Sequence, residues 1–349
     1  MAETHVFDDT EKETIPFRYA ITSYGADYPV DSLVPRLEKE VLFVPAFQRK
    51  FVWTLRQASR FIESLLLGLP VPGVFLARDE PSAKLFIIDG QQRLRTIQYF
   101  YDGVFRGKEF ALRGVQPRYE GKTYKTLEND DQLRLNDSII HATIIRQDEP
   151  SDDQSSVYHI FERLNTGGTL LHPQEIRACI FHGPFNDLLD ELNENKIWRK
   201  IYGPPSNRLK DHELILRFFA LYFSADSYER PMKNFLNGFM GSNRFLNSIP
   251  PDNLRKAFEP TIELINQVFS SRAFRLERAL NAAVYDSVMV GLAHRLERGM
   301  IRKPTSLRTA YKTLLRDDEY LSSVKTATSN ETNVTNRLKK AIAIFSRVS

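Results

Sequence analysis

Apolar residues along the chain follow two rhythms, and the rhythm changes near residue 150. In TLRQASRFIESLLLG, Leu55, Ala58, Ile62 and Leu65 recur every three or four positions. That spacing predicts a helix with one apolar face, capped by Thr54 and stopped by Gly68. LPVPGVFLA and KLFIID follow as short apolar runs on either side of the turn-rich RDEPSA, and read as two strands. QQRLRTIQYFYDG returns to helical spacing through Leu94, Ile97 and Tyr101. Upstream, VDSLVPRLEKE carries a short helix pattern before an extended segment near 41–44; downstream, 108–114 and 138–146 read as strands. Beyond the acidic QDEPSDDQSS almost everything is helical in pattern, from HPQEIRACIFHG and LKDHELILRFFALYF to NRLKKAIAIFSRV. The expected architecture is α+β: a loose tail over 1–15, a small α/β domain over 16–148, and an all-helical domain over 149–349.

Composition narrows this picture. The 349 residues suffice for one large or two medium domains, and 42% apolar content supports a packed core. The single cysteine, Cys179, excludes an internal disulfide and a zinc finger, and favours a reducing cytoplasm. MAETHVFDDTEKETIPF lacks the basic start and apolar stretch of a signal peptide, and no run approaches a membrane span. A cytoplasmic location without membrane contact is therefore expected. The net charge of +4 permits an anionic partner without demanding one. Basic residues gather between 272 and 316, where only Glu277, Asp286 and Glu297 oppose them. Arg272, Arg275, Arg302, Lys303, Arg308 and Lys312 are the candidate contacts to a DNA backbone. Solvated helix faces are the plain alternative.

Three stretches carry candidate chemistry. FIIDGQQRLRT, residues 86–96, ends a strand in Asp-Gly and opens a helix. Unpaired N–H groups and the helix dipole favour an anion at such a turn. Gly90 permits a sharp bend; Asp89 can orient water or a metal; Gln91 and Gln92 can donate and accept; Arg93 can fork onto phosphate. A simple helix cap is the competing reading. AFQRKFVW, residues 46–53, places Gln48 and Arg49 among Phe47, Phe51 and Trp53, a mixture suited to phosphate contact and base stacking. Aromatic packing beneath a loop explains it equally. FERLNTGGTLLHPQEIRA, residues 161–178, runs a helix into Asn-Thr-Gly-Gly and carries Arg163, Asn165 and Thr166. The seven histidines form no H-E-x-x-H and no evident ligand pair, and no metal site is expected. GVFRGKEF imitates a P-loop but is one residue short and lacks the Ser or Thr after its lysine.

In their order, FQRKFVW, FIESLLLGLPVPGVFL, FIIDGQQRLRTIQYFYDG and FERLNTGGTLLHPQEI resemble the GmrSD-type restriction endonuclease N-terminal domain family, within the ParB/sulfiredoxin-like superfamily. The resemblance covers about 41–178. It implies a ParB-like α/β fold with the Asp-Gly-Gln-Gln-Arg turn as functional centre. In the family this turn is tied to nucleotide binding and hydrolysis, in systems that restrict phage DNA carrying modified bases. By matching motifs, Gln48, Arg49 and residues 89–93 line the site, and Arg163, Asn165, Gly167 and Gly168 close it. The full enzymes of this kind also carry a His-Asn-His nuclease domain, and no such constellation is found here.

Three functions follow as expectations. The first is an anti-phage hydrolase that excises a bulky, glucosylated hydroxymethylcytosine from DNA without a cofactor, using Asp89, the paired amides and the Phe47/Phe51/Trp53 cluster. The second is a sensor that hydrolyses a nucleoside triphosphate with Mg²⁺ and signals to a separate nuclease. The third is a DNA-binding adaptor without catalysis.

Overall fold

A computed structural model describes residues 20–43, 51–79, 82–149, 158, 160, 162, 171–269, 272–277, 279–301 and 304–348. The chain divides into two compact units, residues 19–171 and residues 172–349. As the sequence indicates, the fold is α+β: a sheet in the first unit, then a chain that is almost wholly helical.

The first unit runs β1 (Ala20–Pro29), α1 (Val30–Glu38), β2 (Leu42–Phe43), α2 (Leu55–Leu66), β3 (Val74–Arg78), β4 (Leu85–Asp89), α3 (Gln91–Asp102), β5 (Val104–Phe105), β6 (Lys108–Glu109), α4 (Asn129–Asn136) and β7 (Ile139–Glu149). Five strands form one sheet in the order β1-β7-β3-β4-β2. β1–β7 and β3–β4 pair antiparallel, β7–β3 and β4–β2 parallel. The central residues of β4, Phe86, Ile87 and Ile88, are all buried, which is why this strand reads as an unbroken apolar run. Leu33, Ile62, Leu94, Ile97 and Phe100 from the helices pack with Val74, Leu76, Ile87 and Ile144 from the sheet in one cluster. Each such side chain contributes about 1.5–3 kcal/mol by leaving water.

Local signals set the element ends. Thr54 and Gln57 form a reciprocal capping box at the start of α2. α3 opens at Gly90 and closes at Gly103, both left-handed. Two expectations change. The stretch 108–114 is not a full strand: only Lys108–Glu109 pairs, with Val104–Phe105, in a hairpin. Arg106 and Gly107 turn it with positive φ of 50° and 77°, the backbone a two-residue hairpin turn requires. The superficial P-loop is therefore a hairpin. Conversely β1, ITSYGADYP with its leading Ala20, has no clean alternation and was not legible as a strand; its pairing with β7 creates it.

The second unit contains α5 (Pro173–Ile180), α6 (Pro184–Asn193), α7 (Lys196–Tyr202), α8 (Lys210–Ser224), α9 (Met232–Ser242), α10 (Pro251–Val268), α11 (Ala282–Glu297), α12 (Pro304–Leu314), α13 (Asp318–Lys325) and α14 (Glu331–Phe345). α11 is buried along most of its length, and Gly291 lets α14 approach it: a Cβ there would stand 2.9 Å from the Phe345 ring. Asp286 on α11 bridges Arg217 on α8 (2.6 and 3.0 Å) and Arg337 on α14 (3.0 Å), all inside the core. Among the described residues no helix is long and apolar enough to cross a membrane.

Candidate functional site

The end of β4 and the start of α3 deliver the Asp-Gly-Gln-Gln-Arg sequence to one end of the sheet's strands. Gly90 takes φ +101°, and a Cβ there would come within 2.4 Å of Val74 Cγ1. Glycine is thus required twice, for the turn and for the close approach of β3. The turn lets Arg93, one helical turn on, swing back: its Nη2 donates to Asp89 Oδ2 (2.8 Å) and to the Gly73 carbonyl (3.0 Å). Asp89 does not cap the helix; Gly90 holds the N-cap position and no side chain caps it. Asp89 remains 48% exposed, and among the described residues its second oxygen has no hydrogen-bond partner.

A cavity of about 470 Å³ opens beside this pair, within the range of small-ligand sites. Asp89 and Arg93 line it together with Gly25 and Asp27 of β1, the 72–75 segment, and His141, Ala142 and Thr143 of β7. Asp27 Oδ1 lies 2.5 Å from His141 Nδ1 across the β1–β7 pair. Neither residue stood out in the sequence, because β1 carries no strand pattern and 114 residues separate the two. Their only signal is position in a register that sequence does not reveal.

The paired amides do something other than line the cavity. Gln92 Oε1 accepts from the backbone N–H of Val52 (2.9 Å) and of Trp53 (3.2 Å). Arg106, at the hairpin tip, donates to the carbonyls of Phe51 (3.0 Å) and Trp53 (3.2 Å) and lies over the Phe51 ring. Residues 51–53 are therefore clamped from two sides. Their rings take the packing role rather than the stacking one: Phe51 sits edge-on to Tyr99 and Phe105, and Trp53 edge-on to Phe61. Gln91 is half-buried at the first helical position and does not line the cavity. Phe47, Gln48, Arg49, Arg163, Asn165, Thr166, Gly167 and Gly168 lie outside the described residues, as do Arg302 and Lys303. No group of three or more His, Cys, Asp or Glu is arranged for a metal ion among the described residues.

In the second unit, Arg272, Arg308 and Lys312 are exposed, while Arg275 is half-buried and Arg308 also donates to the Val268 carbonyl (3.0 Å). The basic stretch is not wholly a surface. Arg295 is buried and holds the Val348 and Gly299 carbonyls (2.6 and 2.9 Å), and Asp286 is a core residue. Where α5 starts, HPQEIR is likewise interior: Arg177 binds Gln174 (2.8 Å), Asn237 (3.3 Å) and Glu213, and Glu175 pairs with Arg208 (3.3 Å). Burial pushes the His172 imidazole down to about 4, against the pull of Glu213 3.7 Å away.

No curated protein matches the chain significantly. A family model does, from the interior of α1 to just beyond α5, so it takes in β4, the turn and α3 but leaves β1 outside. That model describes the GmrSD restriction endonuclease, N-terminal domain, and its match to residues 32–182 of this chain supports membership of that family.

Proposed function

We propose that the protein acts in restriction of modified phage DNA and that its cavity at the strand ends takes a nucleotide out of the duplex and hydrolyses its N-glycosidic bond, the base being a bulky, glucosylated hydroxymethylcytosine. The family supports the restriction role and the hydrolase class. The chemistry rests on one observation: Asp89 is fixed by Arg93 through one oxygen while the rest of the carboxylate faces an open cavity. A carboxylate held in that way stabilises the positive charge that grows on the sugar as the base departs. The polar lining also suits this substrate. Among the described residues it offers two carboxylates, Asp27 and Asp89, against one guanidinium already engaged. A neutral sugar and base are accommodated more readily than a triphosphate. The ParB-like reading of the first unit is part of the same proposal.

The test is incubation of purified protein with glucosylated, hydroxymethylated and plain DNA, followed by assay for free base and abasic sites. Abasic sites in the glucosylated DNA alone, lost in Asp89→Asn, are expected. One observation favours a second reading, a triphosphate-hydrolysing sensor that uses Mg²⁺ and a separate nuclease: α3 begins at a glycine with no side-chain cap, and a helix N-terminus favours an anion. Phosphate release from a nucleoside triphosphate, without free base, would select it. DNA binding with no product of either kind would leave the adaptor.

A further inference from the structure

Base excision needs more than a fixed negative charge, because the attacking water must lose a proton. Arg93 orients Asp89, and its second contact, to the Gly73 carbonyl, anchors that orientation to the strand opposite. A carboxylate so held serves the sugar cation. The base for the water has to come from elsewhere in the lining. Among the described residues, the ionisable groups sharing this cavity are Asp27, Asp89, Arg93 and His141. We propose that His141 is the general base of this site and that Asp27 is the residue that positions it.

Three observations carry this. First, the two face each other in the β1–β7 register, and Asp27 Oδ1 meets His141 Nδ1 at 2.5 Å. A carboxylate on Nδ1 fixes the tautomer and leaves Nε2 as the acceptor. Among the described residues Nε2 has no hydrogen-bond partner. Second, the pair is not a core device. The side chains of His141 and Asp27 are 70% and 63% exposed, where an ion pair adds little to stability, yet both line the cavity that holds Asp89. Third, the backbone around the ring is built for close approach. A Cβ on Gly73 would stand 2.8 Å from the His141 carbonyl oxygen, so only glycine lets the entry of β3 lie against β7 here. The same Gly73 is the residue whose carbonyl Arg93 grips. One short segment thus links the two halves of the site. His141 lies within the family match and Asp27, on β1, outside it.

The step balances without a further reagent. The water oxygen bonds to C1′ as the C1′–N bond breaks. Its proton passes to His141 Nε2 and on to solvent. The electron pair of the broken bond stays on the departing base nitrogen, which takes a proton from solvent.

The inference rests on the base-excision reading, and single-turnover kinetics separate the two. With glucosylated DNA, His141→Gln is expected to slow base release by about 10²- to 10⁴-fold, the range of general-base catalysis, with DNA affinity unchanged. Asp27→Asn is expected to slow it by a smaller factor. The limb of the wild-type pH–rate profile that reports the base is expected to vanish in His141→Gln, and imidazole added to His141→Gly to restore part of the rate, which a merely structural role would not allow. Wild-type rates in His141→Gln, with base release intact, overturn the inference and leave the function standing. Absence of base release by the wild type on every DNA overturns both.

Discussion

At the scale of single residues the molecule separates groups placed for chemistry from groups placed for folding, and burial is the discriminator. Asp89 and Arg93 form a close ion pair, but the carboxylate stays half in water beside a cavity. His172, by contrast, is interior, and its cost falls on stability. Its imidazole sits at about 4 in the folded chain against the ordinary 6.5, because burial disfavours its charged form. Below pH 6.5 the unfolded chain therefore takes up a proton that the folded chain refuses until about pH 4. The stabilising contribution is complete above 6.5 and is lost as pH falls to 4, on the order of 3 kcal/mol at most. His212 works in the opposite sense. Burial opposes its charge, but hydrogen bonds from its ring to Asp190 and Asp211 prevail and raise its pKa, so it stabilises at low pH and loses that contribution on going alkaline. A raw pH curve mixes the two. The difference in unfolding free energy between wild type and His172→Asn, which keeps a capping acceptor, isolates the first. That difference should shrink against the wild type by up to about 3 kcal/mol between pH 6.5 and pH 4. A difference independent of pH over this range would refute the interior, neutral His172.

At the scale of elements, α3 holds two motifs in one frame. Its first turn carries Arg93 to the cavity and Gln92 to the backbone of residues 52–53. The hairpin β5–β6 supplies the second brace through Arg106. Two amide hydrogen bonds to one carbonyl oxygen are worth about 0.5–1.5 kcal/mol each. Gln92→Ala should therefore raise amide hydrogen exchange at Val52 and Trp53 by about 5- to 150-fold if both bonds open together, and leave the exchange of β3 and β4 unchanged. Unaltered exchange at both amides would show that the clamp contributes nothing. The helices α2 and α3 and the strands β3 and β4 were legible in sequence because local rules fix them: apolar spacing, Thr54 and Gln57 at a start, Gly103 at an end. The roles of Gln92, Phe51 and Trp53 were not. An amide beside an acid and an arginine suggests a grip on a base, and aromatics beside a basic pair suggest stacking. Only the fold shows that the amide braces a loop and the rings close the core rim.

At the scale of the whole molecule the two rhythms announced the α+β class, a sheet-bearing part followed by a mostly helical remainder, while the compact units divide at 171/172 rather than near 150. What sequence could not announce was pairing at a distance. Nothing local in β1 tells that Asp27 will face His141, and nothing in the basic stretch 272–316 tells that Arg295 will turn inward to the Val348 carbonyl while Arg308 and Lys312 turn out. Charge density along a chain overstates a surface whenever a helix has a buried face. The exposed remainder of that stretch is nonetheless sufficient to test. Arg308 and Lys312 lie one turn apart on α12, and Arg272 is exposed as well. If each neutralises one phosphate of bound DNA, each releases a condensed counterion, and the logarithm of the affinity falls with the logarithm of salt by about 0.9 per contact. The triple variant Arg272→Ala, Arg308→Ala, Lys312→Ala should then bind glucosylated and plain DNA more weakly by the same factor. Its salt slope should be shallower than the wild type by about 2–3. The loss should be largest at low salt, where the released ions matter most, and the melting temperature should show that α12 remains folded. A slope equal to the wild type, measured by anisotropy across a salt series, would mean that these cations face only water and that the DNA lies on another surface.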